Sequence, residues 1–306
     1  MTDVDAANDS TTAHRIVTDH ERGFDRLHPL PSEAEVAAFY EDDYYRLVEA
    51  GERAINMTTE LAADDRAARE AAWLRSTVHA DQIDALRRLA PGARVLEVGG
   101  GLGTFARHLV EAGFEVEGID PAPEAVGAFE RLGLVCHQGL LETVGPGLTD
   151  RYDAVCLPHV AEMLREPQAA FELVADLLRP AGIVIVQAGN DGNPLQRAAA
   201  DALDLPDFWM AAPDHLNYFT FDTMSALLDR CGFEVVDRWG DFPMELFLLL
   251  GFDYRSEPTL GRECHERRMA FEEAVATDDR RRLYRAFADA GVGRTFTIVA
   301  RRGDGS

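Results

Sequence analysis

The chain has 306 residues, 46% of them hydrophobic, with 54 acidic against 30 basic side chains and a formal net charge of −24 at pH 7. That size and apolar content suffice for one large core, alone or with a smaller companion. The acid excess argues against partners that require a basic patch, nucleic acid and anionic membrane surfaces among them.

All the basic residues are Arg. Together with the acidity, this predicts a protein adapted to a high-salt interior, where self-repulsion is screened. Nothing near the start resembles a secretory leader, and the apolar run 246–250 is far too short to span a bilayer. The expectation is a soluble, cytoplasmic protein. Cys136, Cys156, Cys231 and Cys264 form no C-x-x-C pair, so no metal site is expected.

In chain order, residues 1–22 are polar and aperiodic and read as a loose tail. Residues 23–90 read as a helical lid, with Ser32 and Glu35 as a capping box and a long helix over 59–89. Strands and helices then alternate, which implies a mostly parallel sheet. Strands are expected at 94–98, 115–119, 134–138, 153–157, 183–187, 234–238 and 294–300, with helices from 103, at 123–132, 167–178 and 222–230. Two long excursions, 191–219 and 240–293, read as cap inserts in a core spanning 91–302.

The chemistry concentrates at the first of these strands. Glu97 sits inside the apolar run Val95-Leu96-Glu97-Val98 and is followed by Gly99, Gly100, Gly101 and Gly103. A carboxylate in a buried strand is costly unless something charged or hydrogen-bonding meets it, and glycines allow positive φ and close approach of backbone to a ligand. The next strand ends in Asp120, where an acid can take the two hydroxyls of a ribose. A nucleoside-containing cofactor follows. Gly101, Gly103 and Ala106 also satisfy the looser dinucleotide fingerprint, so an NAD(P)-dependent oxidoreductase stays open as an alternative, as does a non-catalytic binding or assembly domain.

The spacing Glu97-x-Gly99-x-Gly101-x-Gly103 resembles the first motif of class I S-adenosylmethionine-dependent methyltransferases. Further resemblances come in the right order. They are Tyr152-Asp153-Ala154-Val155, then Pro158-His159-Val160-Ala161-Glu162-Met163, then Leu178-Arg179-Pro180-Ala181-Gly182, and finally Asp214-His215-Leu216-Asn217-Tyr218-Phe219. The last is similar to a segment of ubiquinone-biosynthesis-type methyltransferases. The resemblance covers about 95–236 and departs at Met163, where relatives carry a second His, and at Leu140, where they carry an acid.

What it implies is a Rossmann-like, three-layer α/β fold whose seven-stranded sheet is mostly parallel with an antiparallel last strand. It also implies S-adenosylmethionine as cofactor and transfer of its methyl group to a small-molecule acceptor, an oxygen first, with nitrogen or carbon open. Cofactor contacts are expected from Glu97, Gly99, Gly100, Gly101, Gly103, Asp120, Pro121, Leu140, Leu141 and Pro158.

His215 and His159 are the candidate bases, because they lie on segments expected at the carboxyl ends of the strands, where open α/β sheets bind ligands. Both could equally be structural, and Glu162 reads as readily as a solvated helix residue. Tyr44, Tyr45, Tyr218 and Trp209 are candidate acceptor contacts, although aromatic residues at such spacings also serve as core. The oligomeric state is not legible.

Overall fold

The computed structural model describes residues 14–39 and 65–303. The tail over 1–13, the lid residues 40–64 with Tyr44 and Tyr45, and the start of the expected 59–89 helix lie outside the described residues.

The chain opens on a hairpin, β1 (Arg15–Asp19) and β2 (Phe24–His28), where a loose tail and helical lid were expected. Asp19 closes its turn by accepting from the amides of Glu21 and Arg22, and Gly23 takes φ +81°. Phe24 and Leu27 are each 2% exposed, so the segment is held by apolar burial that its polar composition conceals. Helix α1 (Glu33–Ala38) carries the expected capping box of Ser32 and Glu35. The long helix is two, α2 (Asp65–Ser76) and α3 (Val78–Leu89), broken at Thr77. There the backbone leaves helical angles while the Thr77 hydroxyl donates to the Trp73 carbonyl.

The alternation follows as expected. It runs β3 (Arg94–Val98), α4 (Thr104–Glu111), β4 (Glu115–Asp120), α5 (Pro123–Arg131), β5 (Val135–Gln138) and α6 (Leu141–Val144). It continues through β6 (Tyr152–Pro158), α7 (Pro167–Leu177) and β7 (Leu178–Gly189). Next come α8 (Pro194–Leu203), the short β8 (Asn217–Tyr218), α9 (Phe221–Arg230) and β9 (Phe233–Gly240). The chain closes with α10 (Glu245–Leu249), α11 (Pro258–Ala274), α12 (Thr277–Asp289) and β10 (Thr295–Arg302).

Seven strands form one sheet in the order β5-β4-β3-β6-β7-β10-β9. The last strand of the chain is antiparallel and lies between β7 and β9, pairing with both. The sheet is covered on both faces, as its continuous apolar strands require. Buried side chains of α7 and α9, among them Phe171, Val174, Met224 and Leu227, fill one face, and those of α3, α4 and α12, among them Leu86, Leu109 and Tyr284, fill the other.

The inserts behave differently from one another. Of the 240–293 excursion, α12 packs on β9 and α11 meets α2 through Met269 and Trp73, so most of it is a wall of the sandwich and not a cap. The 191–219 excursion carries α8, with Asn193 and Gln196 as its capping box, and ends in β8. That strand pairs with β2, making a second sheet in the order β1-β2-β8 that joins the N-terminal hairpin to the insert.

Candidate active site

Two polar neighbourhoods sit at the carboxyl ends of the parallel strands. The first surrounds the glycine loop after β3. Glu97 is 2% exposed, its Oε2 has no hydrogen-bond partner among the described residues, and the Ala106 amide donates to its carboxylate. Burial, and then the nearby charge of Asp120, push its carboxyl well above the usual range. Asp120, at the end of β4, accepts from the Gly101 amide through Oδ2 (3.0 Å) and from the Ala122 amide through Oδ1 (2.9 Å). Each oxygen keeps acceptor capacity for a ligand.

The glycines divide the work. A Cβ at Gly101, which has φ +50°, would meet nothing within 4 Å, so this backbone borders open space. At Gly100 a Cβ would lie 2.4 Å from the Phe129 ring, and at Gly118 in β4, 2.6 Å. Gly100, an expected cofactor contact, also makes room for Phe129 of α5. Gly103, with φ +73°, starts α4 and also faces Leu132 and Phe129. Gly99 passes under Val160. Leu140 is exposed and Leu141 buried beside the carboxyl end of β4, while the Pro121 carbonyl accepts from Gln138.

The second neighbourhood follows β6 and β7. Pro158 ends β6, and His159 then takes φ +54°, a left-handed conformation that costs a non-glycine residue roughly 1–2 kcal/mol. The turn is held by the His159 amide donating to the Gln187 carbonyl (2.8 Å). It leaves the imidazole half exposed, with Nδ1 3.3 Å from Glu162 Oε1. Glu162 is completely buried and also accepts from the Gly189 amide (2.8 Å), while its Oε2 has no partner. Burial opposes its ionisation, but the His159 hydrogen bond and charge, with the charge of His215, hold the carboxyl below its usual range. Burial likewise disfavours a charged His159, and the Glu162 hydrogen bond and charge outweigh it, raising the imidazole above its ordinary value.

The structure thus places His159 on the Glu162 carboxylate, with His215 near enough for its charge to act on that carboxyl. Glu162 is no solvated helix residue. Its position three residues after His159, directly beyond a buried strand, was the signal that could have found it.

A latch fixes this loop. Asn217 Nδ2 donates to the carbonyls of Leu164 (2.6 Å), Ala161 and Glu162, while its Oδ1 accepts from Arg26 Nε (3.1 Å). Tyr218 is 2% exposed and its hydroxyl accepts from the Ala211 amide (3.2 Å). It braces the insert where an acceptor contact was expected, because strand pairing with β2 turns it into the core. Trp209 is half-buried in the insert with its ring edge-on to Phe208 (5.3 Å). The Arg255 guanidinium lies over the Phe208 ring, 4.6 Å from its centroid.

Two observations test whether S-adenosylmethionine fits: an orphaned buried carboxylate suited to an ammonium, and a glycine backbone open to a ligand next to the acid ending β4. Both fit. The methyltransferase-domain family model matches residues 69–238, more than half of the chain.

The chain belongs to that family. It is a class I S-adenosylmethionine-dependent methyltransferase, with S-adenosylmethionine as cofactor.

A ubiquinone biosynthesis O-methyltransferase of Dinoroseobacter shibae is 28% identical over 158 residues, 49% of this chain and 63% of that protein. One from Xanthomonas oryzae pv. oryzae is 32% identical over 119 residues, 37% of this chain and 49% of the relative. The methyltransferase therefore spans less than two thirds of the length of these relatives. A solved 1,6-didemethyltoxoflavin-N1-methyltransferase of Burkholderia thailandensis, with its didemethyltoxoflavin and S-adenosylhomocysteine bound, aligns with a TM-score of 0.51. That alignment covers 91% of this chain and 96% of that one at 15% identity, which shows a shared fold. With the sheet order, these matches displace the oxidoreductase alternative.

Proposed function

We propose that this methyltransferase acts on a small-molecule acceptor, most simply a hydroxyl oxygen, with His159 as general base and Glu162 as the residue that positions it. The reading is supported above all by the His159–Glu162 pair, a half-exposed imidazole at a strand's carboxyl end tethered to a fully buried carboxylate. The carboxylate can only accept, so neutral His159 donates from Nδ1 to Glu162 and keeps Nε2 free to take a proton. Glu162 then stabilises the imidazolium that results.

Bound S-adenosylmethionine supplies a methyl group already activated by its sulfonium. The protein's tasks are to align the acceptor, exclude water and accept the hydroxyl proton. We assign Glu97, Asp120 and the Gly99–Gly101 backbone to the cofactor, and the 191–219 insert with Trp209 to the acceptor side. His215 shares the charge environment of Glu162 and stands as the second candidate base.

The test combines calorimetry with S-adenosylhomocysteine and NAD in molar salt with turnover of methyl-labelled S-adenosylmethionine on phenols, catechols and amines. The expected result is binding of S-adenosylhomocysteine and not NAD, with label transferred to an oxygen acceptor. His159→Gln should cut kcat on the order of 10²-fold or more while cofactor binding stays intact. Binding of NAD instead, or unchanged kcat in the variant, overturns the reading.

A further inference from the structure

Beyond the His159–Glu162 pair, the same end of the sheet holds polar atoms that no catalytic task uses. Asp191 follows β7, and its carboxylate lies over Gly189: a Cβ there would sit 2.9 Å from both oxygens. The Gly189 amide donates to Glu162, so one glycine carries two carboxylates. Glu245, at the start of α10, is completely buried and receives only a long hydrogen bond from Gln196 Nε2 (3.4 Å) through Oε1. Arg294 Nη1 approaches the same oxygen at 4.0 Å and is itself half exposed. Glu162 Oε2, Asp191 Oδ2 and Glu245 Oε2 are all buried and have no hydrogen-bond partner among the described residues.

Orphaned buried carboxylate oxygens are expensive, several kcal/mol apiece after relaxation. Glu162 and Asp191 meet at Gly189, and Glu245 meets Arg294; the His159 contact on the other Glu162 oxygen and that distant guanidinium leave all three oxygens without a donor among the described residues. Asp191 records this: burial, and then the charges of Glu162 and Glu245 against that of Arg294, hold its carboxyl well above the usual range. What removes the penalty is a group presenting several N–H donors and positive charge.

We propose that Glu162, Asp191 and Glu245 form the recognition site for an ammonium group on the acceptor, so that the substrate class is amine-bearing small molecules. This inference rests on the methyltransferase reading and concerns the group recognised, not the atom methylated.

The probes are tyramine and its alcohol counterpart tyrosol, which share a phenol hydroxyl and differ in the ammonium. Their binding is measured by calorimetry to the full chain saturated with S-adenosylhomocysteine. Tyramine is expected to bind at least tenfold more tightly than tyrosol. Asp191→Asn and Glu245→Gln should each shrink that preference to under threefold, with tyrosol affinity changed little.

Equal affinity for the two probes, no binding of either, or a preference that survives both variants overturns the proposal. The wild-type comparison needs no variant to fold. Absence of S-adenosylhomocysteine binding would instead sink the methyltransferase reading itself, so the two failures are distinguishable.

Discussion

Two groups of buried charges in this molecule have similar composition and opposite character. Between α11–α12 and α2–α3, Asp81 takes Arg280 (2.9 and 3.0 Å) and Arg281 (2.7 Å). Nearby, Glu272 takes Arg268 (3.2 Å), the Trp73 indole (2.6 Å) and the Tyr284 hydroxyl, and Arg268 reaches on to Asp241 (3.0 Å). Every one of these carboxylates has a cation or strong donor within the protein. At the carboxyl ends of β6 and β7, and at Glu97 within β3, buried carboxylates keep an oxygen without a partner among the described residues. In the first network the carboxylates are satisfied, although Arg280 Nε lacks a partner among the described residues, and the network glues helices to the sheet. The second stays open toward ligands, and the difference lies in satisfaction, not in the number of acids.

The sharpest way to break that contrast is Asp81→Ala. It strands Arg280, 2% exposed, without its partner, and should cost about 3–5 kcal/mol in a urea titration. A loss below ~1 kcal/mol would remove the distinction. Next in size, Asp120→Ala should weaken S-adenosylhomocysteine binding at least tenfold, about 1.4 kcal/mol by calorimetry. Unaltered affinity would move Asp120 into the closed, structural class.

The His159–Glu162 pair is smaller in energy and readable in pH. His159 is raised, so the basic form needed for catalysis appears on a limb of kcat/KM above the ordinary histidine value of about 6.5. Glu162→Gln should move that limb down. A limb that does not respond to this substitution would deny the coupling.

The stability sign follows from the same shifts. The contribution of raised His159 is complete below its unfolded value and fades as pH rises through the folded one. That of lowered Glu162 is complete above its unfolded value and fades as pH falls through the folded one. The pair is therefore strongest from about pH 4.5 to 6.5. Smallest of all, Asp191→Asn should leave stability unchanged or raise it by up to ~1 kcal/mol in thermal unfolding. A clear loss would mean that Asp191 has an internal partner after all.

The sequence made the core legible because the signals there are local. Glu97, four glycines and Asp120 fall within two dozen consecutive residues, and a strand buried on both faces announces itself as an unbroken apolar run. Ser32 and Glu35 were readable for the same reason, as a capping box spans one helical turn.

What escaped depends on distance. Arg26 and Asn217 meet 191 positions apart in the chain, and their hydrogen bonds follow only once β2 and β8 have paired. The N-terminal hairpin resembles a loose tail in composition, because its few apolar residues are spread among polar ones. Nothing local marks Glu245, which is completely buried only in the folded chain. The packing role of Gly100 was not legible because the Phe129 ring beside it comes from a different helix.

The three-stranded sheet has a consequence for exchanging acceptor specificity between methyltransferases. Residues 15–28 reach the loop bearing His159 and Glu162 through Asn217, and Leu27 also donates from its amide to the Leu216 carbonyl (3.0 Å). A chimera that imports only the 191–219 segment would separate β8 from the hairpin it evolved beside, and the donor's loop would arrive without its clasp. Transplanted acceptor preference should therefore travel as a two-piece graft, hairpin and insert together, even though 162 residues separate them in the chain.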